Sequence, residues 1–150
     1  MNVEIVITDS QDTEFAKLIE LLDEDLDERY GELQKKYKKL NKVDFIKDVV
    51  VIRINGEAVA CGAFKEFDSS SVEIKRVFVK KEYRRQGLSK LIIDKLEEMA
   101  ENKGYEYSIL QTGQKQHEAI SLYKSRGYEV IPNYGSYSGD SNSICMKKQI

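Results

Sequence analysis

The sequence predicts one α/β (α+β) domain in which a mixed β-sheet of about seven strands has helices on both faces. Runs of β-branched residues that are short enough for strands alternate with longer runs whose apolar residues recur at helical spacing. The chain has 150 residues, the length of one ordinary domain, and it shows neither an internal repeat nor a linker. We therefore expect a single domain over residues 1–150.

The first half of the chain predicts one strand, a helical region and three further strands. Residues 3–8 alternate Val and Ile with polar residues, as a strand does. Amphipathic runs follow over residues 15–22 and 26–40, and Gly31 is expected to break or bend the second run. Asn55-Gly56 is a strong signal for a hairpin turn. Strands are predicted on both sides of it and beyond, over residues 49–54, 58–64 and 72–79.

The second half predicts two helices and three strands. Apolar residues recur at helical spacing from Leu88 to Met99, and Gly104 is expected to end this helix. A second helix is predicted from His117 to Arg126. The remaining strands are predicted over residues 105–111, 128–131 and 143–148, with a polar and aromatic loop over 133–142.

Composition and charge exclude several classes of protein. The formal net charge is only −2, and general nucleic-acid binding, which depends on clustered Lys and Arg, is therefore not predicted. No apolar stretch approaches the roughly 20 residues that span a bilayer, and no signal peptide is evident. A single histidine, His117, and two separated cysteines do not offer a zinc site. We expect a cytoplasmic protein without a metal; the sequence leaves a homodimer open.

Positive charge concentrates between residues 75 and 90, around the turn from a predicted strand into a predicted helix. This turn reads Arg84-Arg85-Gln86-Gly87-Leu88-Ser89. Unpaired N–H groups and the helix dipole at such a helix start favour an anion, and Gly87 lets the backbone approach it without a Cβ. Compensating charge comes from Arg84, Arg85 and Lys90. On these residues alone, a polyphosphate site and a plain helix start with exposed arginines are about equally supported.

Two segments resemble the GNAT superfamily of acyl-CoA-dependent N-acyltransferases. The first is the strand Val77-Phe78-Val79 with the loop Arg84-x-x-Gly87-x-Ser89, and the second runs from Gln116 to Tyr128. Ser89 stands where the family pattern has Gly or Ala, and Gln116 stands where many members carry Asn. The resemblance covers most of the chain. It implies the family's centrally splayed sheet and acetyl-CoA as the acyl donor.

The resemblance also implies roles for particular residues. Backbone groups of Val77 and Val79, on either side of Phe78, would pair with the pantetheine arm of acetyl-CoA, and the Val77 N–H would donate to the thioester oxygen. Gln116 would contact the same arm. Tyr123 matches a tyrosine near the cofactor sulfur, and Glu73 aligns with a general base. The pyrophosphate would be held by Arg84, Arg85, Gln86, Gly87, Leu88, Ser89 and Lys90.

The chemistry of transfer leaves alternatives for both catalytic candidates. An unperturbed tyrosine, with a pKa of about 10, is a weaker acid than a thiol at about 8.5. Tyr123 therefore either has a lowered pKa or acts as a hydrogen-bond donor to the departing sulfur; as a structural alternative, it is a core aromatic residue. Glu73 is the only acid in its predicted strand. Glu66, Glu82 or ordered water could serve as base instead.

The acceptor is less well defined than the donor. In the family the acceptor lies against the first two helices and the late strands, where this chain is acidic from Asp23 to Glu28. Aromatic residues there are Tyr30, Tyr134 and Tyr137. This composition suits a small cationic amine or a basic peptide, whereas Arg29, Arg53 or Arg76 could engage the carboxylate of an amino acid. We expect a small-molecule amine; the alternatives are a protein or peptide acetyltransferase and a non-catalytic acyl-CoA-binding regulatory domain.

Overall fold

The computed structural model describes residues 2–31 and 45–150, and seven strands in this part of the chain form one sheet. The strands are β1 (Val3–Thr8), β2 (Asp48–Ile54), β3 (Glu57–Asp68), β4 (Ser71–Val79), β5 (Tyr107–Gly113), β6 (Glu129–Ile131) and β7 (Ser143–Gln149). Their order in the sheet is β1-β2-β3-β4-β5-β7-β6, and all neighbouring pairs are antiparallel except β4 and β5. The helices of this part are α1 (Thr13–Tyr30), α2 (Leu88–Asn102) and α3 (His117–Ser125). The predicted mixed, seven-stranded sheet is confirmed.

The first helix is longer than predicted. Leu26 and Tyr30, which we assigned to a second amphipathic run, belong to α1. No helix-breaking residue separates Leu22 from Leu26, and their spacing of four continues the apolar stripe of the same helix. Gly31 then ends α1 with φ +54°, as its N–H donates to the carbonyl of Asp27 at 3.0 Å. The rest of the predicted second helix, from residue 32, lies outside the described residues.

Helices cover both faces of the sheet, as predicted. On one face α1 packs against β2 and β3 through a cluster that contains Phe15, Leu18, Leu22, Val49, Val51, Cys61, Ala63 and Phe78. On the other face α2 and α3 pack through a larger cluster that contains Val50, Ile52, Phe64, Val72, Ile74, Val79, Ile92, Leu96 and Tyr123. Three strands, β2, β3 and β4, supply residues to both clusters, because side chains alternate between the two faces along a strand.

The sheet is splayed between β4 and β5. Their parallel ladder pairs Ser71 with Tyr107 and ends at the pair of Ile74 with Leu110, although both strands continue. Beyond this point no strand among residues 2–31 and 45–150 pairs with this edge of β4. The resemblance implied such a splay, and its place beside residues 77–79 is the one it implied.

A β-bulge in β4 sits at the start of the splay. The β3–β4 register pairs Ala63 with Lys75 and then Cys61 with Phe78, so that β4 contains one extra residue there. Arg76 has φ +60°, an unusual value for a residue with a side chain. Because the bulge shifts the alternation by one residue, Val77 contacts the cluster under α2, and Arg76 reaches toward α1.

Helix α2 lies unusually close to the sheet at Gly62. A Cβ placed on this glycine would lie 2.4 Å from Ile92 Cγ2 and 3.1 Å from Leu96 Cδ1. Only hydrogen at this position therefore allows α2 to rest on the backbone of β3. The contact fixes the position of α2 beside the splayed end of β4.

Candidate active site

A cavity of about 660 Å³ opens where β4 and β5 diverge. Its walls come from α1, β4, the loop before α2, the end of β5 and α3. The predicted site residues that line it are Glu73, Val77, Phe78, Val79, Arg84, Arg85, Gly87, Leu88, Ser89, Lys90, Gln116, Tyr123 and Tyr137. Gln86 and Tyr134 are not among the lining residues, and the side chain of Tyr30 lies outside the described part. The fold thus brings most of the predicted residues to one place.

The N-terminus of α2 opens into this cavity without a side-chain cap. By contrast, Asp12 caps α1 by accepting hydrogen bonds from the N–H groups of Glu14 and Phe15 at 2.9 and 3.0 Å. Among the three helices in residues 2–31 and 45–150, α2 is the one with no acidic residue in its first turn. Its first N–H groups and the positive end of its dipole are therefore available to an anion.

Left-handed backbone conformations shape the loop before α2. Arg85 has φ +65° and Gly87 has φ +79°. A Cβ on Gly87 would meet no protein atom within 4 Å, so the glycine is required by its conformation and not by crowding from the protein. The space beside Gly87 is open to a ligand at the point where the N–H groups of α2 converge. An anion as large as a pyrophosphate fits this chemistry.

Arg84 braces the end of β4 instead of extending toward the N-terminus of α2. Its Nε donates to the carbonyl of Val79 at 2.9 Å, and its guanidinium carbon lies 5.7 Å from the centre of the Phe78 ring. The Val79 carbonyl, which the resemblance implied for pantetheine, is therefore already bonded. Since the N–H of Lys80 donates to Val59 of β3 at 2.9 Å, strand alternation directs the N–H of Val79 to the open edge.

Gln116 has a defined structural contact in addition to its position on the cavity wall. Its Oε1 accepts hydrogen bonds from Thr112 Oγ1 at 3.1 Å and from the N–H of Gly113 at 3.0 Å. These bonds tie the end of β5 to the start of α3. Contact with a ligand would therefore come from the Nε2 amide group of Gln116.

Tyr123 lies on α3 and is 7% exposed. Its ring makes an edge-to-face contact with Tyr128, with ring centres 5.7 Å apart. Burial raises the pKa of Tyr123 above its ordinary value, and within residues 2–31 and 45–150 its hydroxyl makes no hydrogen bond. Of the two alternatives for this residue, a raised pKa favours a hydrogen-bond donor over an acid that gives up its proton.

Glu73 is buried, and both of its carboxylate oxygens have partners. Tyr134 Oη donates to Oε2 at 2.8 Å, and Lys75 Nζ lies 3.6 Å from Oε1. Burial lowers the pKa of Lys75, and the charge of Glu73 partly opposes this effect. Burial, and then the Glu73 charge, raises the pKa of Tyr134. Of the three acids that we considered as bases, Glu73 is the one on the cavity wall; Glu66 and Glu82 are not.

The acidic residues of α1 near the cavity are paired with cations. Asp23 lies 3.1 Å from Arg76, and Asp25 lies 3.7 Å from both Arg29 and Arg84. Arg29 also bonds to Glu118 of α3. Arg53, in contrast, pairs with Glu4 and Glu14 and does not line the cavity. Apart from Asp25 and Arg29, which are four residues apart on α1, the partners lie far apart along the chain, so that the local sequence could not have predicted these pairs.

The sequence profile of the acetyltransferase (GNAT) family matches residues 15–128. The chain belongs to the GNAT acetyltransferase family. The match includes α1, the splayed strand β4, the loop before α2, and α3 with Tyr123. Family membership confirms the predicted fold and the predicted class, an acyltransferase.

Relatives of this GNAT protein are named as acetyltransferases. It is 34% identical over 96 residues to the uncharacterised N-acetyltransferase YsnE of Bacillus subtilis, a match over 63% of this chain and 64% of YsnE. It is 29% identical over 102 residues to the IAA acetyltransferase of Azospirillum brasilense, over 67% of each chain. The matched region thus spans less than two thirds of YsnE.

Solved GNAT structures share the fold over nearly the whole chain. A candidate acyl-CoA N-acyltransferase from Klebsiella pneumoniae has a TM-score of 0.82 and 28% identity, covering 98% of this chain and 97% of its own. A GNAT family acetyltransferase from Elizabethkingia anophelis with acetyl-CoA bound has a TM-score of 0.72 and 18% identity, covering 99% of each chain. The second likeness, at this low identity, concerns the fold alone.

Two further expectations concern location and assembly. In the part of the chain that the structure describes, no helix combines the length and the apolar character needed to cross a membrane. The cytoplasmic location stays a prediction, and the oligomeric state stays open.

Proposed function

We propose that this GNAT protein transfers the acetyl group of acetyl-CoA to the primary amine of a small molecule, by direct attack of the amine within a ternary complex. One observation carries the proposal. The uncapped N-terminus of α2, the open edge of β4, Tyr123 and Glu73 all face a single cavity. The groups suited to bind a polyphosphate, to pair with an amide-containing arm and to transfer a proton thus lie next to one another in one cavity.

On the donor side, the chain supplies backbone groups and charge. The first N–H groups of α2 would bind the pyrophosphate beside Gly87, and Arg85 and Lys90 on the cavity wall would compensate its charge. The N–H groups of Val77 and Val79 would pair with the pantetheine arm, as an added strand does. The N–H of Val77 would also stabilise negative charge on the thioester oxygen during attack.

On the acceptor side, the amine must first lose a proton. An amine with a pKa of about 10.4 needs on the order of 4–5 kcal/mol for deprotonation at pH 7. Glu73 would take this proton, directly or through a water molecule, and pass it to solvent before the neutral amine attacks the thioester carbon. After the N–C bond has formed, the nitrogen would lose its second proton by the same route. The C–S bond then breaks, and the Tyr123 hydroxyl would donate a hydrogen bond to the departing sulfur. The thiolate then takes its proton from solvent.

The closed end of the cavity beside Tyr137 supports a small acceptor. Tyr137 is buried and packs with Cys145 and Leu26, so that the loop before β7 and the end of α1 meet at this point. A peptide acceptor would need an open groove there. The relatives named as N-acetyltransferases support transfer to nitrogen, whereas their names leave the acceptor of this chain undefined.

The experiment measures free thiol released from acetyl-CoA in the presence of polyamines, amino acids, aminoglycosides and basic peptides. Turnover with a small amine is expected. Turnover restricted to peptides would identify a protein acetyltransferase, and acetyl-CoA binding without turnover across the panel would identify a regulatory domain. Either result would overturn the proposal.

A matched pair of glycine variants tests the donor site. Gly87 and Gly56 both have φ near +80° (+79° and +84°), and neither has a protein atom within 4 Å of a Cβ placed on it. Alanine should therefore cost both sites a similar conformational strain of about 1–2 kcal/mol. Gly87→Ala should raise the KM for acetyl-CoA at least tenfold, and Gly56→Ala, in the hairpin turn, should leave it unchanged. If the two variants have the same KM for acetyl-CoA, the loop before α2 is not part of the donor site.

A further inference from the structure

The ion pair of Glu73 and Lys75 is placed where the acceptor amine would have to lie. The two side chains are 9% and 8% exposed, and both residues line the cavity. Their separation of 3.6 Å exceeds that of a direct charge-assisted hydrogen bond, which is about 2.7–2.9 Å. Tyr134 holds the other oxygen of Glu73 at 2.8 Å. The carboxylate is therefore fixed independently of Lys75, and the lysine can change partner without releasing it.

Charges around the cavity are balanced outside the loop before α2. The acidic residues on the wall are Asp25, Glu73 and Glu118, and each has a basic partner within the wall. The basic residues on the wall are Arg29, Lys75, Arg76, Arg84, Arg85 and Lys90, of which the last three belong to the loop before α2 and to the first turn of α2. The acceptor half of the wall thus holds three residues of each sign, and Asp23, which pairs with Arg76, does not line the cavity.

A simple cationic amine would upset this balance. Its charge would enter beside Lys75, which is already a buried cation, and like charges at short range in a site shielded from water repel strongly. A zwitterion would add no net charge. It would exchange the Glu73–Lys75 contact for two new ones, with its ammonium on Glu73 and its carboxylate on Lys75.

We propose that the acceptor carries a carboxylate beside its amine, as an amino acid does, and that Lys75 binds this carboxylate while Glu73 receives the amine. This inference rests on the proposed function and narrows its acceptor. Lys75 then has two effects. It selects against amines that lack a carboxylate. It also balances the negative charge of Glu73 until the ammonium group of the acceptor replaces Lys75 as the partner of Glu73.

The test compares each amino acid with its own decarboxylated amine, for example phenylalanine with phenethylamine, and with the amino acid amide. The readout is kcat/KM from thiol release at saturating acetyl-CoA. We expect at least a tenfold preference for the free acid in those pairs whose side chain the cavity admits. A decarboxylated amine or amide that reacts as well as the acid would overturn the inference. Absence of turnover with every member, and of acetyl-CoA binding, would instead count against the proposed function.

Variants at Lys75 make the test specific. Lys75→Gln should lower kcat/KM for the acids, mainly through KM, and should reduce at least tenfold the ratio of kcat/KM for each acid to that for its decarboxylated amine. Lys75→Arg should retain part of the preference. Lys95→Gln is the control, because Lys95 pairs with Glu98 on α2 and does not line the cavity. An unchanged preference in Lys75→Gln would refute the role of Lys75. The comparison of substrates in the wild-type protein remains decisive if that variant does not fold.

Discussion

Replacing Tyr123 with phenylalanine removes the proposed hydrogen-bond donor with little change in packing. The ring and its contact with Tyr128 are retained, and in residues 2–31 and 45–150 no other group loses a hydrogen bond. A hydrogen bond to a charged group contributes about 1.5–3 kcal/mol. If Tyr123 stabilises the departing thiolate, Tyr123→Phe should therefore lower kcat by roughly 10- to 150-fold. The KM for acetyl-CoA should stay nearly constant.

The matched control is the neighbouring tyrosine. The Tyr128 hydroxyl donates to Glu97 Oε2 at 2.8 Å and shares a hydrogen bond with the hydroxyl of Ser108 at 2.7 Å, and Ser108 is fully buried. Tyr128→Phe leaves the Ser108 hydroxyl with one partner fewer, and it should lower the free energy of unfolding by about 1–3 kcal/mol. Its kcat should remain near the wild-type value, because the Tyr128 hydroxyl faces these residues and not the cavity.

The assay combines steady-state kinetics with urea unfolding of both variants and of the wild type. Tyr123→Phe should lose turnover at constant stability, and Tyr128→Phe should lose stability at nearly constant turnover. Because burial raises the pKa of Tyr123, its ionisation should not limit the rate at neutral pH. Unaltered turnover in Tyr123→Phe would refute the proposed role. A loss of turnover that follows the loss of stability in both variants would show that the effect is one of packing.

Two further predictions concern stability. Gly62→Ala places a methyl group 2.4 Å from Ile92, so the free energy of unfolding in urea should fall by about 1–3 kcal/mol. The KM for acetyl-CoA should rise, because α2 must move to make room for the methyl group. An unchanged KM would show that α2 is not displaced. Stability should also fall as pH rises above about 8.5, because burial raises the pKa of Cys61 and the unfolded chain then binds fewer protons than the folded one. In Cys61→Ala the slope between pH 8.5 and 10 should be shallower by up to about 1.4 kcal/mol per pH unit, and an identical slope would contradict this assignment.

The order of the elements could be predicted because each signal was local. The turn at Asn55-Gly56, the β-branched runs on both sides of it and the change to helical spacing at Leu88 each involve a few adjacent residues. The boundary that we predicted between the two early helical runs was wrong, because no local signal in the sequence marks it. Apolar residues at positions 22 and 26 suit one helix or the start of another, and the sequence between them contains no residue that would end a helix.

The donor side of the site was easier to predict than the acceptor side. The loop from Arg84 to Ser89 is contiguous, so its residues must be neighbours in space. The contact of Tyr134 with Glu73 joins residues 61 positions apart, and the pair of Arg76 with Asp23 joins residues 53 positions apart. Spacing along the chain carries no information about such contacts. Lys75 is the exception, because residues two apart on a strand share a face, and its place beside Glu73 could have been predicted.

The bulge in β4 also had a signal in the sequence. Apolar residues alternate at Val72 and Ile74, and the alternation then resumes one position late, at Val77 and Val79, after the adjacent charges Lys75-Arg76. Such a change of phase indicates an inserted residue, since a regular strand would direct Val77 to the opposite face. The positive φ of Arg76 itself has no such signal, because arginine does not favour that conformation.

This single inserted residue connects the two halves of the proposed reaction. Before the bulge, Val72 and Ile74 face the core under α2, so that Glu73 and Lys75 face the side of α1, where the acceptor is proposed to lie. After the bulge, Val77 and Val79 face the core under α2 in turn, while the edge of the strand is exposed at the splay. Without the insertion, Val77 would fall on the same face as Lys75 and exclude the acceptor, and Phe78 would enter the core under α2. The bulge therefore allows one strand to present backbone to the donor and charged side chains to the acceptor within a few residues of each other.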